Sequence, residues 1–406
     1  MENEEVAIAR FVIAPWFISV MSYSECNFSS LCFIRSGLLV LGCLLAGIDV
    51  AVGEVITVCP GGGCNSTTIQ DGLNRAENGD VVLVAVGTYE PLQVIDFQGK
   101  SVILRGESSN LGMATISGGN ARQIMSFVTN EGAGARVENI RFISGRATRG
   151  GAVYCLDAAP VFSNCVFENN VASYRGGAVY TEGGAPRFEN CAFRFNASGN
   201  YGGGLDNTSG STTVVDCVFL ENVSNYEGGG IVNLGGDMML QGVDFIGNTA
   251  FMGGGVWSYT SCSPSFEDCR FVENQADIRG GGFHNDLFSV PSIRNCSFID
   301  NSATAGGAIG NEGRHVYLEN TEICGNSPEQ IQWPWTDGGE NRIWVECLGD
   351  CPGDFDDDGL VGGGDMGLLL GYWGSYALFP SGDLNGDQVL DAADLGLLLG
   401  YWGKCP

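Results

Sequence analysis

The sequence predicts an all-β protein: a right-handed parallel β-helix solenoid, followed by a small α-helical domain. Three observations lead to this fold class. Glycine pairs recur at steps of about 26 residues between Gly150 and Asn326, apolar and polar residues alternate between them, and the residues after 350 contain a duplicated segment. A unit of about 26 residues is shorter than the roughly 30 or more that a βαβ unit needs, and alternation with period two is typical of strands.

Composition favours a repeat protein and limits its partners. Glycine supplies 63 of 406 residues, about 16% where roughly 7% is usual. Hydrophobic residues make up 44% and charged residues 16%, a mixture that does not fit disorder. The net charge of −28 repels phosphate backbones, so we expect no nucleic-acid partner. The acidic surface suits cations, calcium above all, or serves solubility alone.

Residues 1–53 form a predicted secretory signal region. Arg35 precedes an apolar run from Leu38 to Ile48, and the small residues Ala51-Val52-Gly53 follow, which is the pattern of a secretory signal. The run is too short to span a membrane, so we expect a secreted, extracellular or cell-surface protein with no transmembrane segment in the mature chain. Met21 is an alternative start, and Val40-Leu41-Gly42-Cys43 is similar to a lipoprotein signal.

Four columns of residues stay in register through the repeat. An apolar residue follows each glycine pair or triplet: Val153, Val179, Leu205, Ile231, Val256, Phe283 and Ile309. A second column lies midway: Phe142, Phe167, Phe193, Phe219, Phe245, Phe271, Phe298 and Ile323. Asparagines form the third: Asn170, Asn196, Asn222, Asn248, Asn274, Asn301 and Asn326. The fourth holds thiols or other small side chains: Cys165, Cys191, Cys217, Val243, Cys269, Cys296 and Thr321.

Stacking of the coils gives each column a structural role. Successive parallel strands lie about 4.8 Å apart, so equivalent residues lie over one another. We expect the phenylalanines to fill the core, the asparagines to bond to each other in left-handed turns, and glycine pairs to supply corners closed to other residues. The cysteines are interpreted as small buried hydrophobes rather than as a reactive site.

Residues 54–347 are assigned to the β-helix, and the first part of this range is its opening. Ile69, Leu73 and Ala76 have helical spacing, which predicts a short amphipathic helix that covers the open end of the core. Strands are expected at 81–86 and 102–105. Cys59 and Cys64 are close enough in sequence for a small disulfide loop.

This region resembles known β-helix proteins. The segment Asn78-Gly79-Asp80-Val81-Val82-Leu83-Val84-Ala85 resembles the first coil of pectin-lyase-like proteins, and Gly177-Ala178-Val179 with Phe167-Glu168-Asn169-Asn170 resembles the repeats of polymorphic outer-membrane proteins. The resemblance implies the fold. Pectin-lyase-like solenoids include lyases and hydrolases, but 54–347 contains no Asn-Thr-Asp, Asp-Asp or Arg-Ile-Lys set, so catalytic residues stay unassigned.

A duplicated acidic module follows at 350–406. Residues 365–374 match residues 394–403 at every position but the second, 29 residues later. The preceding loops place Asp354, Asp356, Asp358 and Asp365, then Asp383, Asn385, Asp387 and Asp394, at positions 1, 3, 5 and 12. Leu360 and Val389 at position 7 would add backbone carbonyls. Calcium takes six to eight oxygens, and this spacing surrounds one centre with them, so we expect two calcium ions.

The pair of loops resembles a type I dockerin, in which each calcium loop precedes one helix. The resemblance implies a cohesin-like or other surface protein as partner. Gln388 replaces the glycine expected at position 6, and positions 10 and 11 hold Gly363-Gly364 and Ala392-Ala393 without hydroxyls, which puts binding to a typical cohesin in doubt. Cysteines that could pair are Cys351 with Cys405 and Cys324 with Cys347.

The residues after the apolar anchors form one further column, which alternation directs outward. It contains Tyr154, Tyr180, Asp206, Val232, Trp257, His284 and Gly310. Tyr154, Tyr180, Asp206, Trp257 and His284 are a candidate surface for sugar or protein contact, or an ordinary exterior. Arg149, Arg175 and Arg279 are interpreted as turn residues. The leading hypothesis is a non-catalytic scaffold or adhesin-like protein held by its calcium module. The alternative is a polysaccharide lyase or glycoside hydrolase acting on extracellular polysaccharide.

Overall fold

A computed structural model describes residues 53–109, 112–286, 288–313, 316–332, 334–344, 353–356, 360–374, 382–384 and 389–404. Outside these residues lie residues 1–52 of the predicted signal region, the cysteines Cys347, Cys351 and Cys405, and the loop residues Asp358, Asn385, Asp387 and Gln388. From Val55 to Ile343 the chain forms a parallel β-helix, because each strand pairs in parallel with its equivalent one coil away. The predicted solenoid is confirmed.

Four parallel sheets form the walls of the solenoid, and we number them in the order in which a coil crosses them. Sheet I contains Val55–Val58, Val81–Val84, Ile103–Gly106, Arg136–Glu138, Val161–Ser163, Arg187–Glu189, Thr213–Val215, Met239–Gln241, Ser265–Glu267, Ser292–Arg294, Val316–Glu319 and Trp335–Asp337. Sheet II contains Thr88–Tyr89, Gly112–Ser117, Ile140–Ile143, Val166–Glu168, Ala192–Arg194, Val218–Leu220, Asp244–Ile246, Arg270–Val272, Ser297–Ile299, Glu322–Cys324 and Arg342–Ile343, with Ser108–Ser109 antiparallel at its edge. Sheet III contains Arg146–Arg149, Val171–Arg175, Ala197–Ser198, Val223–Ser224, Thr249–Met252 and Gln275–Arg279. Sheet IV contains Ile95–Asp96, Met125–Phe127, Val153–Leu156, Val179–Glu182, Leu205–Thr208, Ile231–Leu234, Val256–Tyr259, Phe283–Asn285 and Ile309–Asn311.

Phenylalanines from sheets I and II fill the interior, as predicted for sheet II. Phe193 and Phe219 pair in register, and their rings stack with centroids 4.5 Å apart and planes 2° apart. Phe167 meets Phe188 of sheet I edge to face at 6.2 Å. All these rings are fully buried. Burying such a side chain contributes about 1.5–3 kcal/mol, so this column supplies much of the hydrophobic stabilisation.

The asparagine column is buried and satisfies its own polar groups. The backbone N–H and side-chain Nδ2 of Asn222 both donate to Oδ1 of Asn248 at 3.0 Å, and Nδ2 also donates to the Phe193 carbonyl at 2.9 Å. The left-handed conformation expected for these asparagines is wrong. It belongs to the preceding residue, such as Asn169 with φ 54° or Glu221 with φ 49°, which turns the chain so that the asparagine side chain can point inward.

The corners between sheets III and IV depend on glycine. Gly176 adopts φ +62°, a left-handed conformation that glycine takes without steric cost. At Gly177 a Cβ atom would collide with the carbonyl oxygen of Gly203 in the next coil. The glycine pair therefore allows the turn and the close stacking of coils.

The remaining predictions for the solenoid concern its thiols and its first coil. Cys165, Cys191 and Cys217 are buried, as expected for small hydrophobic side chains. Desolvation holds the pKa of the Cys191 thiol well above its ordinary value, so this side chain stays a thiol at neutral pH and is not reactive. Helix α1, Ile69–Arg75, packs against the first strands and buries Ile69 and Leu73. The disulfide between Cys59 and Cys64 is present.

The C-terminal residues form two short helices around a separate small core. Helix α2 spans Gly363–Gly371 and helix α3 spans Ala392–Gly400, while Leu360–Val361 pairs antiparallel with Gly403–Lys404. The core consists of pairs 29 residues apart: Val361 with Leu390, Leu369 with Leu398, Phe355 with Leu384, and Met366 with Leu395. The sequence duplication is thus also a duplication of packing. Within the described residues, no helix has both the length and the apolar character to cross a membrane.

Candidate functional site

Three carboxylates of the first C-terminal loop converge on one point. Asp354, Asp356 and Asp365 each place a carboxylate oxygen within 4.8 Å of the others. Asp365 is 1% exposed, Asp354 is partly buried and Asp356 is exposed, so the cluster is open to solvent on one side. These residues are three of the predicted calcium ligands, and Asp358 lies outside the described residues.

Backbone groups hold Asp365 in place. Its Oδ1 accepts from the N–H of Asp356 at 3.2 Å and from that of Phe355, and its Oδ2 accepts from the N–H of Gly362 at 2.7 Å. Asp365 lies in the first turn of α2, where the helix dipole favours a negative charge. The carboxylate is therefore fixed before any ligand binds.

The second loop repeats this arrangement at the equivalent positions. Oδ1 of Asp394 accepts from the N–H of Leu384 at 2.9 Å, and Oδ2 accepts from that of Asp391 at 2.9 Å. Asp394 is fully buried in the first turn of α3. Asp383 is partly buried. Leu360 and Val389 are both 47% exposed, and their side chains are apolar, so only their backbone carbonyls could bind a metal.

The donor set fits calcium. Every described candidate is an oxygen donor, and hard divalent cations such as calcium prefer carboxylate and carbonyl oxygens. A Cβ atom at Gly364 would occupy the position of Oδ2 of Asp356, so glycine at this position lets the carboxylate approach the others. If calcium binds, Asp354, Asp356 and Asp365 would hold it in the first loop, and the ion would neutralise their mutual repulsion.

The predicted solvent exposure of the outward column on sheet IV is wrong. Tyr180, Asp206, Trp257 and His284 are 1%, 0%, 6% and 1% exposed, and Tyr154 is partly buried. These side chains do point away from the phenylalanine core, but residues at the end of sheet III cover them. The column lies in the angle between sheets III and IV, where it forms a polar and aromatic second layer.

Arg175 and Asp206 form the centre of this layer. Arg175 Nε lies 2.7 Å from Asp206 Oδ2, and Nη2 lies 3.1 Å from Oδ1. The guanidinium also lies over the rings of Tyr180 and Tyr201, at 5.4 and 5.0 Å from their centroids. Burial raises the pKa of Asp206 to about 6, against the opposing effect of Arg175. The interpretation of Arg175 as a turn residue is wrong, because Arg175 is the last residue of the sheet III strand Val171–Arg175. Its guanidinium neutralises the buried acid Asp206.

Glu227 and Trp257 lie further along the same angle. Trp257 stacks on Tyr201 at 6.3 Å and on Tyr259 at 5.1 Å. Trp257 Nε1 and Glu227 Oε2 are buried without a hydrogen-bond partner in the described residues. Burial, with the charge of Asp286, raises the pKa of Glu227 to about 7, so this carboxyl exchanges its proton near neutrality.

His284 is held neutral in this layer. Its Nδ1 lies 3.1 Å from the carbonyl oxygen of Gly310, and since a carbonyl only accepts, Nδ1 carries the proton. Burial lowers the pKa of His284 to about 4. In register, Asp206 lies three coils from His284, through Val232 and Trp257, so the two residues do not share one reacting bond.

Sheet III carries an exposed apolar row beside the covered column of sheet IV. Tyr174, Tyr226, Phe251 and Ile278 are exposed by 39%, 52%, 38% and 37%. Each lies one residue before the side chains that cover the sheet IV column. The sequence carries this signal two positions before the glycine corners at Gly176, Gly228, Gly253 and Gly280. The alternation rule alone does not show which residues the corner brings over the sheet. We call these four residues the sheet III row.

Comparisons with known proteins agree with the fold. The family model described as "Right handed beta helix region" matches residues 127–323, and the solenoid is a right-handed parallel β-helix. No curated protein matches.

Solved structures with a similar fold include pectin methylesterase from carrot, with 12% identity, coverage of 71% of this chain and 89% of that chain, and a TM-score of 0.40. The pectate lyase Pel9A has 12% identity, coverage of 73% and 80%, and a TM-score of 0.39. PfbA, a surface adhesin of Streptococcus pneumoniae, has 12% identity, coverage of 68% and 87%, and a TM-score of 0.31. At these values the matches carry no inference about activity or ligand.

Proposed function

We propose that this protein is a non-catalytic, extracellular or cell-surface β-helix that presents a binding surface and is held in an assembly through a calcium-dependent, dockerin-like module. The observation that carries the proposal is the convergence of Asp354, Asp356 and Asp365, with Asp365 buried and fixed by backbone N–H groups. Repelling carboxylates are held together beside a second, separately packed core, which is the arrangement that a cation would stabilise.

Calcium titration tests the module. We expect two binding events by calorimetry on the full chain, and a gain in thermal stability that EDTA reverses. Asp365→Asn should remove one event, since it takes away a carboxylate charge from the cluster, and Asp394→Asn should remove the other. Asp277→Asn, at an exposed acid of the solenoid, serves as control. Absence of calorimetric heat and of a stability gain would refute the calcium assignment.

The proposed partner of the module is a cohesin-like or other surface protein. The same exposed apolar group lies at the C-terminal end of each helix. It consists of Leu370 of α2 with Tyr372 and Trp373 directly after the helix, and of Leu399 of α3 with Tyr401 and Trp402 directly after it. Aromatic residues are enriched in protein interfaces, and this group lies outside loop positions 10 and 11. We expect calcium-dependent binding to a member of a purified cohesin panel, lost in the double variant Trp373→Ala, Trp402→Ala. Binding that persists in EDTA would contradict the proposal.

For the solenoid, the proposed ligand is an extracellular polysaccharide, and the sheet III row is its proposed contact surface. Sugar rings pack on aromatic side chains. Tyr226, Phe251 and Ile278 come from three consecutive coils, which lie about 4.8 Å apart. Affinity electrophoresis in polysaccharide gels should show retardation of the wild type and a loss of it in the Tyr226→Ala, Phe251→Ala variant. Phe195→Ala is the control, because Phe195 is 43% exposed but lies outside the row.

A polysaccharide lyase or glycoside hydrolase remains the second candidate. It is favoured by Glu227, whose pKa of about 7 suits proton transfer near neutrality. Incubation with acidic polysaccharides and calcium, followed by detection of unsaturated or reducing ends, distinguishes the non-catalytic scaffold from the enzyme. The scaffold proposal expects no turnover. Turnover that Glu227→Gln abolishes would replace it with the enzyme.

A further inference from the structure

An open cavity lies on the outer face of sheet II, and none of its lining residues belongs to the sheet III row or to the C-terminal module. Its volume is about 470 Å³, within the range of roughly 300–1,000 Å³ typical of small-molecule sites. Its floor follows one column of sheet II, in which Thr88 pairs with Thr115 and Thr115 with Arg141. Gly112, Met113 and Arg194 are among the other residues that line it. Arg141 and Arg194 are the charged residues among the described residues that line it.

Glu168 holds both arginines in position. Arg141 donates to Glu168 Oε2 through Nε at 2.9 Å and Nη2 at 2.6 Å. Arg194 donates to the same oxygen through Nε at 3.2 Å and Nη2 at 3.0 Å. Glu168 is 13% exposed at its side chain, and although burial opposes it, the two guanidinium groups lower its pKa. The three side chains therefore carry a net charge of +1 in a chain whose net charge is −28.

The hydrogen bonds to Glu168 leave donors for a ligand. Within the described residues, the Nη1 groups of Arg141 and Arg194 make no hydrogen bond, and the two side chains are 38% and 39% exposed. Arginine donates to planar anions in a fixed geometry, and such charge-assisted hydrogen bonds are about twice as strong as neutral ones. The exposed hydroxyl of Thr88 adds a polar contact of the kind that a sugar makes.

We infer that this cavity binds one anionic sugar unit of an extracellular glycan, with the anionic group on the Nη1 groups of Arg141 and Arg194. The inference rests on the proposed function of the solenoid as a polysaccharide-binding surface, and it adds the charge class of the ligand and a place for it. The anionic group is a carboxylate or a sulfate ester, and both offer the oxygen acceptors that the two guanidinium groups require.

Calorimetry on the full, calcium-loaded chain tests the inference with three probes: a uronate oligosaccharide, a sulfated oligosaccharide and a neutral oligosaccharide of equal length. We expect one of the two anionic probes to bind and the neutral one to bind at least tenfold more weakly. Raising the salt concentration should weaken the binding, because partly exposed charges are screened. Equal affinity for neutral and anionic probes would overturn the inference.

Variants locate the site. Arg141→Gln and Arg194→Gln should each weaken binding about tenfold, the factor expected for one charge-assisted hydrogen bond. Arg187→Gln is the matched control, because Arg187 is paired with Glu189 on sheet I with 42% exposure and lies outside the cavity. Glu168→Gln removes the competing charge and should tighten binding, which gives a second test if an arginine variant folds poorly.

The outcomes separate this inference from the proposed function. If the wild type binds anionic glycans and the arginine variants bind them equally well, the cavity is not the site and the binding function stands. If the wild type binds none of the three probes and shows no retardation in polysaccharide gels, both fail.

Discussion

Replacing one asparagine of the buried column should destabilise the solenoid far more than replacing an exposed asparagine of the same coil. Asn222→Ala removes four hydrogen bonds: two from its Nδ2, to Phe193 and Asn248, and two from Asn196 to its Oδ1, at 3.1 and 2.9 Å. The carbonyl of Phe193 and the backbone N–H of Asn196 then lose these partners in a fully buried region.

The magnitude follows from those two groups. A buried polar group left unsatisfied costs about 1–3 kcal/mol, so the free energy of unfolding should fall by about 2–6 kcal/mol. Asn225→Ala is the control, because Asn225 is exposed, and surface substitutions usually stay within about 0.5 kcal/mol. Both variants are measured by urea unfolding followed by circular dichroism.

Hydrogen exchange adds a local measurement. In Asn222→Ala, the amides of the coil that contains Asn196 should exchange faster than in the control. The reasoning is refuted if the two variants unfold at the same urea concentration, or if protection changes only at the ends of the solenoid. Either result would mean that water or a shifted backbone replaces the lost partners.

Three further predictions concern buried titratable groups. Arg175→Leu should destabilise the protein at pH 7 by about 3–5 kcal/mol, because it leaves Asp206 buried without its partner. The folded pKa of Asp206, about 6, is above the unfolded value of about 3.9, so its contribution is present in acid and lost as pH rises through 6. Arg175 opposes this shift, so its removal raises the pKa of Asp206 further. The stability of Arg175→Leu should therefore recover as pH falls below neutrality, and no recovery would contradict the raised pKa. His284 has the opposite sign: its pKa of about 4 lies below the usual value of about 6.5, so its contribution is lost as pH falls through 4, and His284→Gln should flatten the acid limb of the stability profile. The thiols of Cys191 and Cys217 should fail to react with a thiol-specific dye at pH 8 until guanidinium unfolds the chain, and rapid reaction in the native protein would show that the column is open.

The fold was accessible from sequence because each column repeats one residue type for one physical reason. Phenylalanine and asparagine at fixed positions, such as Phe219 and Asn222, report interior packing and self-pairing of amides directly. The layer over sheet IV was not accessible in this way. Alternation predicts that Trp257 points away from the core, but the angle set by the glycine corner decides that Tyr201 covers it.

The two C-terminal loops were predicted from spacing, and the structure adds what spacing cannot contain. The positions of Asp354, Asp356 and Asp365 indicate a common centre, whereas the burial of Asp365 depends on the small core beside α2. The cavity at Arg141 and Arg194 was not predicted from the sequence. The two residues belong to different columns, and both form hydrogen bonds to Glu168.

The stacked phenylalanine and asparagine columns have a consequence for the length of the molecule. Because Phe193 and Phe219 occupy equivalent places, as do Asn196 and Asn222, a coil can be removed or duplicated and each new neighbour still meets the residue type it met before. Every such event changes the solenoid by about 4.8 Å and leaves the end helix α1 unaltered. The number of coils, and with it the extent of the sheet III row, can therefore vary by recombination between repeats without a new core having to evolve.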